Sequence, residues 1–273
     1  MINKKELERI ITNEGLRIGV CVIEQNGKIF FEKDSLSMYD TACSIMVFIM
    51  LEYYKQLGSG KFLEDVLIEY TKDNYATGSG SIKYLSFGSK VRIKDLVLLM
   101  VAASDHIAAN MLIDFLGLDE INKTIQEEGF INTRIHKKFL IPQVKNIATS
   151  TPFDLALFYN KLMNNSFFNS VDCKAMIDVL LQQKYKDLLT DTFDKNDGIY
   201  IDCASKSGLA DGKIYNQSTN SYIVDGGIIY NKKRNYCISL MCDLYHDSKI
   251  TISEVRTIMH KISKTIYREV IKS

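Results

Sequence analysis

The residue in this sequence best suited to nucleophilic chemistry is a cysteine placed where the chain turns into a buried helix. In "TACSIMVFIMLEYYKQ", residues 41–56, Cys43 stands just before Ile45 to Leu51, a run apolar on every side. A helix with no polar face belongs in the interior. A free thiol has a pKa of about 8.5, so a small fraction is thiolate at neutral pH. The unpaired N–H groups at a helix start favour the thiolate further. One helical turn later stands Met46, which fits an apolar slot and cannot take a proton. A reactive Cys43 therefore needs a base from elsewhere in the chain. Without one it is a small buried hydrophobe, the commoner fate of a free cysteine.

Composition bounds the rest. The chain has 273 residues, 46% apolar and 25% charged, ordinary values for a globular protein. Lys+Arg 34 against Asp+Glu 33 gives a net charge of +1. That balance offers no broad basic surface for nucleic acid and no polybasic patch for a membrane. There is no apolar run long enough to span a bilayer. The opening "MINKKELERIITNEGL" reads as a charged amphipathic helix and not as a secretory signal. The six cysteines, Cys21, Cys43, Cys173, Cys203, Cys237 and Cys242, have no C-x-x-C spacing. A zinc site is not indicated, and nothing suggests an organic cofactor. Free thiols suit a reducing compartment, so a cytoplasmic protein is expected.

The elements that must position Cys43 follow from local pattern. Two β-rich runs flank Asn26-Gly27 in "LRIGVCVIEQNGKIFFEK", a hairpin signal because both residues tolerate positive φ. "IKDLVLLMVAA", "HIAANMLIDFLG" and "DEINKTIQEEG" read as helices, the last stopping at Gly129. The two prolines, Pro142 and Pro152, bracket an unusual segment. "STPFDLALFYNKLM" is a helix capped by Ser150 or Thr151, with Pro152 in its first turn. Strands return in "GIYIDCASKSG", "NSYIVDGGIIY" and "RNYCISLMCDLY", and a last helix runs through "SEVRTIMHKISKTIYREVIK". The expected fold class is α+β, a single domain over residues 1–273. Both chain ends, 1–40 and 198–273, share one antiparallel sheet flanked by the terminal helices, and residues 41–197 form a central helical lobe. The cleft between the lobes is the favoured place for a site.

Three short motifs in order carry a resemblance: Cys43-Ser44-Ile45-Met46, Ser104-Asp105-His106 and Lys206-Ser207-Gly208. Their order and setting resemble the class A serine β-lactamase and penicillin-recognising family, whose signature is S-x-x-K, S-D-N and K-T-G. The likeness extends over about residues 15–270, through "IMLEYYKQLGSGKF", "LVLLMVAASDHIAANMLIDFLG" and "YIVDGGIIY". The departures fall on the catalytic letters. Cys43 stands for the nucleophilic serine and Met46 for the lysine. An alternative register offers Ser44 as nucleophile with Val47 in the lysine slot; it too lacks the lysine.

The resemblance implies a β-lactamase-like fold and acyl-enzyme chemistry. It places His106 where the family has asparagine, facing the cavity. His106 then supplies the base that Met46 cannot, with a ring nitrogen within about 5 Å of the Cys43 sulfur. His136, at the start of the bracketed segment, is the rival base. By the same resemblance Ser104 and Lys206 relay protons, Ser207 and Gly208 bind substrate, and the backbone N–H groups of Cys43 and Leu209 form the oxyanion hole. Asp105 turns inward to hold its loop. The family's deacylating glutamate has no counterpart: from Ile135 to Phe153 there is neither Asp nor Glu, although Asn146 matches the loop asparagine. The expected activity is therefore acyl transfer from a small-molecule or peptide-like amide, ester or thioester, free or carrier-bound, in preference to hydrolysis. Efficient β-lactam hydrolysis is not expected. A serine-hydrolase relative with weak hydrolysis and a non-catalytic ligand-binding or sensor domain remain alternatives.

Overall fold

The computed structural model of the chain describes residues 4–12, 15–139, 147–186, 188–190, 202–212, 219–231 and 233–272. After helix α1 (Lys4–Ile11) come strands β1 (Leu16–Glu24), β2 (Ile29–Lys33) and the short β3 (Tyr39–Asp40). A 3-10 turn over Ala42–Ile45 leads into α2 (Met46–Gly58). Then follow β4 (Leu67–Glu69), β5 (Lys90–Arg92), α3 (Ile93–Ala102), α4 (His106–Leu116) and α5 (Leu118–Glu127). Next are β6 (Arg134–Ile135), β7 (Ala148–Ser150), α6 (Pro152–Met163) and α7 (Ser170–Leu181). The chain ends with β8 (Asp202–Ala210), β9 (Ser221–Tyr230), β10 (Tyr236–Leu244) and α8 (Ile252–Lys272).

Among the described residues the main sheet has five strands in the order β2-β1-β10-β9-β8, so both chain ends meet at the β1–β10 pair. Every neighbour is antiparallel. Gly27, with φ +84°, turns the β1–β2 hairpin as the Asn26-Gly27 pair predicts. Helix α6 packs across β1, β9 and β10, and α8 lies on the sheet with α1 against it. Thr151, of the two proposed caps, is the one that accepts from the Asp154 N–H.

The helical lobe is built around α2. From Met46 to Leu51 every side chain is fully buried, which the absence of a polar face requires. Each such side chain contributes about 1.5–3 kcal/mol relative to exposure. Two short ladders accompany the lobe, β4–β5 within it and β3–β7–β6 joining it to the end of the first chain segment, and periodicity over two or three residues cannot reveal them. Helix α7 escapes the sequence pattern because only Cys173, Met176 and Leu180 along it are buried, a narrow strip. Gly129, at φ +89°, lies just past α5. Residues 140–146, with Pro142 and Asn146, and 198–201 lie outside the described residues.

One buried carboxylate ties the lobe together beside the site. Asp105 is fully buried and caps α4, accepting from the Ile107 and Ala108 N–H groups through Oδ1. Its Oδ2 accepts from Ser81 and Ile82. It thus fastens the 77–82 segment to the start of α4. Asp105→Ala leaves four N–H donors without this partner and should cost on the order of 3 kcal/mol, read from the urea midpoint at unchanged slope.

Candidate active site

Three elements bring the motif residues together. The 3-10 turn before α2 carries Cys43, the α3–α4 junction carries Ser104 and His106, and the edge strand β8 carries Lys206, Ser207 and Gly208. Cys43, Ser104, Ser207, Gly208 and Leu209 line one cavity of about 260 Å³. Ser79, Tyr185, Leu188, Ile223 and Arg256 complete its lining. Ser44 does not line it: its hydroxyl is fully buried and donates to the Thr41 carbonyl. Met46 is fully buried in the helical core.

Cys43 Sγ lies 3.2 Å from His106 Nε2, closer than the limit read from the sequence, although 63 residues separate the two. His106 Nδ1 lies 3.2 Å from the Thr77 carbonyl oxygen, which can only accept. Nδ1 is therefore the N–H of the neutral ring, and Nε2 presents a lone pair to the thiol. The Ser79 hydroxyl is 3.4 Å from the same Nε2. Phe139 packs beside the ring, with centroids 5.3 Å apart. The rival, His136, is directed elsewhere, with its Nε2 3.0 Å from Thr149 Oγ1.

The other flank of the thiol is a buried lysine. Lys206 is fully buried and its Nζ donates to Ser104 Oγ at 2.5 Å, to the Ser207 carbonyl at 2.8 Å and to Gln183 Oε1 at 3.3 Å. Ser104 holds its hydroxyl there with a left-handed backbone, φ +52°, a conformation that costs about 1–2 kcal/mol for a residue with a Cβ. Its oxygen accepts from the ammonium, which leaves its own hydrogen free to point toward the thiol side of the cavity.

The electrostatics follow from these contacts. Burial by itself pushes the Cys43 thiol up, but the His106 ring, the Lys206 ammonium and the Ser104 hydroxyl outweigh it and leave the thiol below its ordinary value. Burial pulls His106 down, but the sulfur beside it and the Thr77 carbonyl leave the ring above its ordinary value. Both shifts move the pair toward thiolate and imidazolium. Burial lowers Lys206 to about 8, with Cys43 and Asp225 opposing the shift. The other cysteines with resolved shifts, Cys21, Cys173, Cys203, Cys237 and Cys242, are all pushed up by burial. Among the described residues no group of His, Cys, Asp and Glu could hold a metal ion.

Thr77, Ser79, Gln183, Tyr185, Leu188 and Arg256 were not read from the sequence as site residues. "TGSGS" at 77–81 does carry a loop signal, but a backbone carbonyl as partner leaves no trace in residue type. Gly208 has a steric reason. A Cβ there would stand 2.6 Å from the Cys43 N, 2.8 Å from the Ser44 N and 2.9 Å from the Thr41 O, all backbone atoms.

Two outcomes test this geometry. Electrophile labelling should single out Cys43 at neutral pH, and its rate should fall with pH through the lowered thiol pKa. His106→Asn removes the positive partner, so the apparent pKa rises toward that of a free thiol. Each unit of rise slows labelling about tenfold at pH values below the new pKa. Gly208→Ala forces β8 away from the 3-10 turn and should slow Cys43 labelling even where the variant remains folded by circular dichroism.

Comparison with known proteins places this arrangement in a shared fold. PBP-A is 20% identical, with 99% of this chain and 96% of that chain covered at a TM-score of 0.86. A β-lactamase from Sphaerobacter thermophilus is 20% identical over 97% of this chain and 95% of its own, at a TM-score of 0.83. A class A β-lactamase representative from Bacteroides cellulosilyticus is 15% identical over 99% and 97%, at 0.85. No curated protein sequence matches the chain significantly. No helix among the described residues is long and apolar enough to cross a membrane. The fold is the α+β β-lactamase fold, and the family model described as the beta-lactamase enzyme family matches residues 3–270, so the chain belongs to that family.

Proposed function

We propose that this chain is an acyl-transfer enzyme in which Cys43 is the nucleophile and His106 its base. The observation that carries the reading is the 3.2 Å contact between Cys43 Sγ and His106 Nε2, on a ring whose other nitrogen is 3.2 Å from the Thr77 carbonyl. A thiol beside an imidazole of fixed tautomer is an activated nucleophile without any lysine. The burial of Met46 agrees, because the slot holds no charge. A PBP-A variant has been captured as an acyl-enzyme complex with penicillin-G, so the related fold can hold an acyl group.

The steps balance on two separate arms. In acylation Cys43 Sγ bonds to the substrate carbonyl carbon and the thiol proton passes to His106 Nε2. The oxyanion is held by the backbone N–H groups of Cys43 and Leu209. The bond to the leaving group breaks, and that group takes the Ser104 hydroxyl proton while Lys206 resupplies Ser104 and becomes a neutral amine. In transfer an incoming amine bonds to the thioester carbon and loses its proton through Ser104 to Lys206. The carbon–sulfur bond breaks and His106 returns its proton to the sulfur. The ordinary lysine value falls to about 8 here, close enough to neutrality for both halves of the cycle.

The substrate class is an amide, ester or thioester of a small or peptide-like acyl group, free or carrier-bound. Ser79, Ser104, Ser207 and Arg256 supply polar lining, while Tyr185, Leu188, Leu209 and Ile223 supply an apolar wall. Among the described residues no carboxylate lines the cavity, which suits an anionic or neutral ligand. Six unpaired cysteines support a reducing, cytoplasmic setting. Transfer is favoured over hydrolysis because Ile135–Phe153 contains no carboxylate to activate water.

Incubation with a chromogenic β-lactam followed by intact-mass analysis tests the reading. Any adduct should sit on Cys43, persist for many minutes and be lost in Cys43→Ala. Rapid steady-state hydrolysis would overturn the transfer reading. An aryl thioester that leaves no acyl group on Cys43 would leave a ligand-binding protein without chemistry.

A further inference from the structure

We propose that Gln183 is a positioning residue that keeps Lys206 in an all-neutral cage, so that this amine can give up and regain a proton during acyl transfer. The inference rests on the role given above to the Lys206–Ser104 arm. Gln183 lies just after α7, near the edge of β8, and only 3% of its surface is exposed. Its side chain spans two groups on that strand. Oε1 accepts from Lys206 Nζ at 3.3 Å, and Nε2 donates to Ser205 Oγ at 3.4 Å. An ammonium only donates, so the amide oxygen must be the atom that faces it. The Ser205 bond holds the amide in that orientation.

The acceptors of Lys206 are then a hydroxyl, an amide and a backbone carbonyl. None is a carboxylate, and no Lys206 ion pair occurs among the described residues. The cage satisfies the donors of the cation without adding a counter-charge. A carboxylate at hydrogen-bond distance would favour the charged form by about 1–3 units and hold the proton. The remaining titratable groups act from the neighbouring elements. Cys43 faces Lys206 from the 3-10 turn and draws its pKa upward when ionised. Asp225, on β9 beside the Gly226 that pairs with Lys206, also draws it upward, but burial pushes that carboxyl well above its ordinary value, which disfavours its charged form. Tyr159 on α6 is kept protonated by burial in the same way. His106 reaches the arm through the sulfur. Gln183 is the side-chain contact of Lys206 whose replacement by an isosteric acid would convert neutral solvation into an ion pair.

The test reads the lysine directly, by 15N NMR titration of Nζ in selectively labelled protein. In the native chain the Lys206 midpoint should fall well below that of the exposed lysines; a midpoint at their value overturns the proposal without any variant. Gln183→Glu should raise the midpoint by about one unit or more, and Gln183→Met, similar in size but without the acceptor, should lower it. Opposite signs from two substitutions at one buried position are not what a purely structural role produces. The alkaline limb of aryl thioester transfer should move in the same direction as the midpoint, and by more than the acid limb set by Cys43 and His106, which Lys206 reaches only through its charge. Midpoints that do not move, or that move the same way in both variants, sink the proposal. The intact-mass assay separates the two ideas: an acyl group found or not found on Cys43 reports on the nucleophile, and the Nζ titration reports on the cage whether or not Cys43 forms an acyl-enzyme.

Discussion

The site depends on the contact between an edge strand and a 3-10 turn. Gly208 on β8 comes so close to the backbone of Thr41, Cys43 and Ser44 that there is no space for a Cβ. This contact presses the sheet of the chain ends against the entrance of the buried helix α2. It sets Cys43 beside Ser207, Leu209 and the tip of Lys206, residues more than 160 positions later in the chain by numbering. Without it the thiol would lie at the start of a helix with no opposing strand. Backbone atoms on both sides make the constraint stiff, because neither side can answer by changing a rotamer.

Around that contact two polar groups flank the sulfur, and the proposed function gives each a share of the proton handling. His106 stands on one side of the sulfur, and the Lys206–Ser104 pair stands on the other. Each works through burial balanced against a local partner. Burial disfavours a thiolate, yet the imidazole and ammonium on its flanks reverse that penalty. Burial also disfavours the ammonium, and with neutral hydrogen-bond acceptors and only partial opposition from Cys43 and Asp225 the lysine is lowered to about 8. Burial thus opposes the lowering of the thiol and causes the lowering of the amine: positive neighbours overcome it at Cys43, whereas at Lys206 the opposing influence of Cys43 and Asp225 does not.

Cysteine with methionine is a consistent pair of departures from a serine–lysine site. A serine alcohol needs a strong base close by, whereas a thiol ionises with an imidazole. If the base comes from α4, as proposed, the Met46 position has no proton to move, and the apolar side chain there joins the core. The strained backbone of Ser104 is the other side of this economy of placement. Its left-handed conformation turns the hydroxyl toward Lys206 while the next residue, Asp105, turns inward to clamp the 77–82 segment. One tight junction thereby orients three successive side chains to three different tasks.

Local pattern in the sequence determined most of the elements, because their causes are local. The all-apolar run after Ile45 demands burial, Asn26-Gly27 makes a hairpin, and Thr151-Pro152 starts a helix. The order of the three motifs brought Cys43, Ser104, His106, Lys206, Ser207 and Gly208 to one cleft on paper. The β4–β5 and β6–β7 ladders and α7 were not legible, since two or three extended residues or a strip of three buried side chains leave no period to read. Tertiary structure alone decided the finer chemistry. The tautomer of His106 is set by a carbonyl, that of Thr77, and every residue type has a carbonyl. The neutrality of the Lys206 cage rests on Gln183, an unremarked amide after a helix that meets β8 only when the chain is folded. His136 and His106 are equally good bases as letters. One reaches the sulfur and the other reaches Thr149, because proximity across 63 residues is a property of packing and not of composition.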